Sequence, residues 1–154
     1  MELFVKRFDE LTNDELYELL RLRVAVFVVE QNCPYQEVDG KDVAAIHYWM
    51  EEDGEIVSAL RVLTEASPVA IGRVVTKATH RGKGYSRLLM DAAIKDFGHE
   101  TLYLQAQTYV EPFYASFGFK RTSDVYQEDS IPHVDMLRES TNPASTVSES
   151  FMLE

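Results

Sequence analysis

The chain has 154 residues, which suits one domain around one hydrophobic core, and its 45% hydrophobic and 27% charged content is that of an ordinary globular protein. Its 26 acids against 15 Lys and Arg leave a formal net charge of -11, which repels phosphate backbones, argues against a nucleic-acid partner and favours a cationic one. The longest uncharged apolar run (24–29) is too short to span a membrane, Met1-Glu2-Leu3-Phe4 lacks the order of a signal peptide, and the single Cys33 can build neither an internal disulfide nor a multi-cysteine metal site, so a cytoplasmic protein with no membrane partner and no metal is expected.

Leu3 to Phe8 reads as a first strand. Thr12-Asn13-Asp14-Glu15 is a capping box, and Leu16, Leu19, Leu20 and Arg23 then share one face of a helix expected to run to about Glu30. Arg23 on that apolar face suggests pairing with a buried acid, the alternative being contact with substrate. Residues 32–45, with Pro34, Gly40 and several acids, read as an irregular loop. Residues 46–50 and 56–63 are strands, joined by the hairpin signal Asp53-Gly54. A fourth strand covers 69–76, and a glycine-containing loop leads into a helix whose inner face is Leu88, Leu89, Ala92, Ala93 and Phe97. Residues 102–106 form a fifth strand. Thr108 to Glu111 resembles a second capping box, opening a short helix through Phe117 with Pro112 in its first turn. Residues 125–127 and 134–137 are the last strands. From Glu139 the Ser, Thr, Asn and Pro content suggests a mobile tail over 139–154, within which Phe151-Met152-Leu153 could dock; the domain itself is 1–138. The pattern is mixed α/β, with helices needed on both faces of one sheet.

The stretch from Val74 to Leu89 carries the chemistry. A strand feeds Arg81-Gly82-Lys83-Gly84-Tyr85-Ser86, which opens an amphipathic helix. Free amides at a helix start make an anion site, glycine lets phosphate approach the backbone, and Arg81 and Lys83 add cationic donors. A phosphate or pyrophosphate is therefore expected, the alternative being a tight connection with solvated charges. A P-loop would need Ser or Thr where Gly84 stands, and a dinucleotide fingerprint a third glycine where Arg87 stands.

Arg81, Gly84 and Ser86 resemble motif A of the GCN5-related N-acetyltransferases (GNAT), Ser86 replacing the usual Gly or Ala. Gln107 to Phe119 resembles the family's Asn-x-x-Ala-x-x-Phe-Tyr-x-x-x-Gly-Phe at Tyr114, Gly118 and Phe119. Leu22-Arg23, the 26–31 and 35–42 segments, Ile71 to Val75 and Tyr126 to His133 are similar to the ElaA-like branch of that family. The resemblance implies a mixed, mostly antiparallel sheet of six to seven strands, splayed between strands four and five. It implies that acetyl-CoA binds through Val74, Val75, Thr76, Arg81, Gly82, Lys83, Gly84, Tyr85, Ser86 and Gln107, with the Ser86 hydroxyl available to a phosphate. It implies direct transfer of the acetyl group to a primary amine in a ternary complex, a strand-four amide (Val75 or a neighbour) polarising the carbonyl and Tyr114 protonating the departing thiolate.

Amine attack needs a neutral nitrogen. Glu30, His47 and His133 are the candidate bases, a water chain the alternative; Cys33 lacks an evident base partner for a nucleophilic role. Glu37, Asp39, Asp42, Glu128 and Asp129 form two acidic loops expected to draw in a cationic small-molecule or peptide amine. Competing readings are a non-catalytic coenzyme A-binding regulator and a protein binding another nucleotide. Exposed sheet edges leave room for a homodimer.

Overall fold

The computed structural model describes residues 1–141. One eight-stranded sheet contains β1 (Glu2–Arg7), β2 (Ala45–Glu52), β3 (Glu55–Leu63), β4 (Val69–Thr76), β5 (Leu102–Gln107), β6 (Lys120–Arg121), β7 (Tyr126–Glu128) and β8 (Ile131–Arg138). The order is β1-β2-β3-β4-β5-β8-β6, with β7 also on β8, and every pairing is antiparallel except β4–β5. The expected β-branched runs thus form strands; β6 is the one that sequence reading missed.

Helices cover both faces. On one, α1 (Asn13–Arg23) lays Leu19 and Leu22 over Trp49, Ala59 and Val75, and Phe4 stacks on Trp49 at 5.4 Å. On the other, α2 (Tyr85–Phe97) buries Tyr85, Leu89, Met90 and Ala93 against Tyr48, Val57, Leu104 and Phe119. The inner face of α2 is rotated from the expected one: Leu88 is exposed and Met90 takes its place. The short α3 (Glu111–Ala115) seats Tyr114 in the same core.

The first capping box forms as expected, the Glu15 amide donating to Thr12 Oγ1 at 3.1 Å and the Thr12 amide to Glu15 at 2.9 Å. The second does not. Residues Thr108–Val110 make a 3₁₀ turn, α3 has no side-chain cap and ends at Ala115, and the Glu111 carboxylate instead takes both Arg121 donors at 2.6 and 3.0 Å. The first helix also departs from expectation. After Arg23 it becomes a π-helical segment, Val24–Glu30, in which the Gln31 amide reaches back to Val26 O and the Cys33 amide to Val28 O. Such segments concentrate at functional sites.

Two irregularities shape the sheet's centre. β4 and β5 pair only at Val69–Leu102 and Ala70–Tyr103 and then diverge. Opposite β3, β4 carries one extra residue: Ala59 faces Val75 but Arg61 faces Gly72, so a bulge lies at Arg73–Val74. Beyond β8, Ser140 and Thr141 bond the carbonyls of His99 and Gly98 at the end of α2; the rest of the proposed tail, with Phe151 to Leu153, lies outside the described residues.

Candidate active site

The divergence of β4 from β5 opens a cleft of about 1260 Å³. It runs from the start of α2, along Val74, Val75 and Thr76, to Tyr114 and on to His133 and the β7–β8 turn.

At one end lies the glycine loop. Gly82 and Gly84 take φ of +78° and +84°, and a Cβ on either would meet nothing within 4 Å. Their role is therefore the left-handed backbone and open access to it, not relief of crowding. Gly84 is the N-cap of the 13-residue α2 and no side chain caps it, so the first amides of α2 face outward. These features suit a phosphate or pyrophosphate group.

Side chains of the loop behave differently from expectation. Arg81 is turned to Glu30, making a two-bonded ion pair at 2.6 and 2.8 Å, and its Nε donates to Thr76 O. Lys83 stands 4.0 Å from Glu52, and the Tyr85 ring is buried with its hydroxyl on the same carboxylate. Ser86 joins a hydroxyl chain: Ser58 Oγ donates to Val75 O at 2.9 Å, Thr76 Oγ1 lies 2.8 Å from Ser58 Oγ, and Ser86 Oγ 2.6 Å from Thr76 Oγ1. A carbonyl only accepts, so the Ser58 proton is spent there, Thr76 must donate to Ser58 and Ser86 to Thr76. The Ser86 hydroxyl thus has no proton left for a phosphate oxygen; it ties α2 to β3 and β4.

The candidate bases separate clearly. The Glu30 carboxylate is held below its ordinary range by the Arg81 hydrogen bonds, which makes it a poorer base. His47 is 2% exposed, bonded to Asp42 O at 2.9 Å, lowered in pKa by desolvation and absent from the cleft wall. His133 lines the cleft. Its Nδ1 lies 2.7 Å from Ile131 O, an atom that only accepts, so Nδ1 carries a proton and the neutral form of the ring has its lone pair on Nε2. Tyr126 stacks on the ring at 6.1 Å.

Tyr114 is 8% exposed, packed edge-on against Phe113 and Phe119, and its hydroxyl has no hydrogen-bond partner among the described residues. Burial pushes its pKa well above the ordinary tyrosine range, so the proton stays on. Gln107, at the end of β5, exchanges amide bonds with Gln31 at 3.2 and 3.3 Å. Cys33 is buried and donates to Asp129 O at 3.4 Å, with no base hydrogen-bonded to its thiol among the described residues.

Three of the five acids expected to attract substrate are already matched. Glu37 binds Arg23 Nε and Arg73 Nε, each at 2.7 Å; Asp42 binds Arg23 and Arg61 at 2.7 and 3.0 Å; Asp39 binds Arg61 at 2.6 Å and Arg73 at 3.2 Å. Arg23 therefore has the structural partner its position suggested. Sequence reading missed Arg61 and Arg73, which sit in strands without any local mark of their charge partners. Only Glu128 and Asp129 remain exposed on the cleft without an ion pair among the described residues.

Residues 11–140 match the acetyltransferase (GNAT) domain family. A UPF0039 protein of Mycobacterium tuberculosis is 47% identical over 130 residues, 80% of this chain and 83% of that one. Protein ElaA of Escherichia coli is 42% identical over 139 residues, 84% and 91% of the two chains, and its crystal structure superposes with a TM-score of 0.85 over 90% and 99%. An acyl-CoA N-acyltransferase from Pseudomonas aeruginosa, 40% identical, gives 0.82 over 90% and 99%.

Proposed function

The chain belongs to the GNAT acetyltransferase family, in its ElaA-like branch, and on that premise we propose that this acyltransferase moves an acetyl group from acetyl-CoA directly to a primary amine. One observation carries the reading: a single cleft joins an uncapped helix start, the diverging edge of β4, a protonated tyrosine and a histidine with a free ring nitrogen. The P. aeruginosa relative, an acyl-CoA N-acyltransferase, supports a coenzyme A thioester as donor.

When bound, the thioester supplies the acyl group. The amides from Gly82 to Ser86 hold its pyrophosphate, and Val74 to Thr76 offer backbone to the pantetheine arm. An amide near the Arg73–Val74 bulge would donate to the acyl oxygen as it gains charge. His133 Nε2 takes the proton from the incoming ammonium, directly or through water, and Tyr114 donates to the leaving sulfur. Glu128 and Asp129 draw the cationic acceptor. His47 has no part in proton transfer, and Glu30 acts by holding Arg81.

Release of free thiol from acetyl-CoA in the presence of amines tests the reading. Tyr114→Phe lowers kcat by about 10²-fold or more, the range for a lost general acid, with KM for acetyl-CoA unchanged. Undiminished turnover removes Tyr114 from the mechanism. If acetyl-CoA raises the melting temperature while no amine yields thiol, the chain is a coenzyme A-binding regulator instead.

A further inference from the structure

Arg73 stands at the bulge of β4 with φ +52°, a left-handed conformation that favours glycine, although Gly72 beside it has none of that burden. The chain spends its unfavourable backbone position on an arginine, and the arginine's contacts show what is gained. Its guanidinium stacks 5.5 Å from the Tyr35 ring centre and grips Glu37 and Asp39 through Nε and Nη2.

Among the three arginines of this network, Arg73 alone is substantially open: its side chain is 21% exposed, against 3% and 4% for Arg23 and Arg61. It lines the cleft, and its Nη1 makes no hydrogen bond among the described residues. Arg23, Arg61 and Arg73 balance Glu37, Asp39 and Asp42, so the exposed Lys41, which also lines the cleft without an ion pair among the described residues, leaves this lip one positive charge. The opposite lip, at the β7–β8 turn, carries the unpaired Glu128 and Asp129. Cys33 Sγ donates to Asp129 O at 3.4 Å, a contact between the two segments. A cleft that is cationic on one side and anionic on the other is complementary to a zwitterion.

We propose that the acceptor is an amine that also bears a carboxylate, that is, an amino acid, with Arg73 Nη1 and Lys41 receiving the carboxylate while the ammonium lies toward Glu128, Asp129 and His133. This rests on the acyl-transfer reading above and names its substrate class. The guanidinium, held over the Tyr35 ring by its other bonds, is a prepared donor for a planar anion.

The test compares acceptors that differ only in the carboxylate: lysine with cadaverine, and phenylalanine with phenethylamine, in acetyl-CoA-dependent thiol release by the full chain. The carboxylate-bearing member of each pair has a kcat/KM at least about tenfold higher, the ratio that one such ionic contact supplies. In Arg73→Met the ratio falls toward one with KM for acetyl-CoA unchanged, and Lys41→Met lowers it less. Arg73→Gly, which accepts the left-handed backbone without strain but takes one partner from the buried Glu37, should lower the melting temperature, keep KM for acetyl-CoA unchanged and lose the same preference; the unchanged KM separates the guanidinium from any folding defect. Equal or better turnover of the decarboxylated partners, or a preference that survives in the Arg73 variants, overturns the proposal alone. Absence of thiol release with every acceptor overturns both it and acyl transfer to amines.

Discussion

Two acidic segments of this chain look alike in sequence and are opposites in space. The segment holding Glu37, Asp39 and Asp42 is folded inward, its carboxylates saturated by Arg23, Arg61 and Arg73, two of them nearly inaccessible. The β7–β8 turn holds Glu128 and Asp129 outward, with Asp129 and Ser130 at φ of +51° and +66° to turn the chain tightly. The first segment is architecture and the second is field. A formal charge says nothing about the potential at a site until its counter-charge is located.

The largest effect should come from breaking the inward segment. Glu37→Ala takes one of two carboxylate partners from each of Arg23 and Arg73, leaving them Asp42 and Asp39, and should cost about 3 kcal/mol, the lower end of the penalty for removing one partner of a buried pair, read as a fall in the denaturant midpoint. A smaller loss should appear on acidification. Burial opposes it, but the arginine bonds prevail and hold Asp39 and Asp42 below the ordinary carboxylate range. Groups with depressed folded pKa values contribute stability that is complete above their unfolded pKa, about 4, and is lost as pH falls through the lower folded value. Stability should therefore decline from about pH 4 downward, and Asp39→Asn should flatten that slope; an unchanged slope contradicts the assignment. The smallest effect on folding should come from the outward turn. Glu128→Gln with Asp129→Asn should alter stability by no more than about 0.5 kcal/mol while raising KM for a cationic amine several-fold at low salt, an increase that shrinks as salt screens the field. A large stability loss there, or an unaltered KM, erases the distinction.

The same contrast explains what could be read from sequence. Thr12 and Glu15 are three residues apart, and their reciprocal bonds follow from local geometry, as do the strands with their β-branched runs and the Asp53-Gly54 turn. Thr108 and Glu111 have the same spacing, but Arg121, ten residues on, outcompetes the cap for the Glu111 carboxylate. The network around Glu37 joins residues 14 and 36 positions apart, and nothing local distinguishes those acids from solvated ones. The π-helical stretch was hidden because Val24 to Val29 is apolar on every side and carries no phase. The glycine loop was legible as an anion site from residues alone; the splay and Tyr114 came through family resemblance, not periodicity.

Consecutive residues at the end of that π-helical stretch have a mechanical consequence. β4 and β5 touch at their beginnings and separate, which by itself is a pair of compasses free to swing. Glu30 grasps Arg81 just past the end of β4, and Gln31 grasps Gln107 at the end of β5. The two legs are thereby braced by a crossbar one residue wide, and a braced triangle keeps its angle where compasses do not. Widening the gap means breaking both handholds, so together they oppose the swing of β4 away from the Tyr114 side of the cleft.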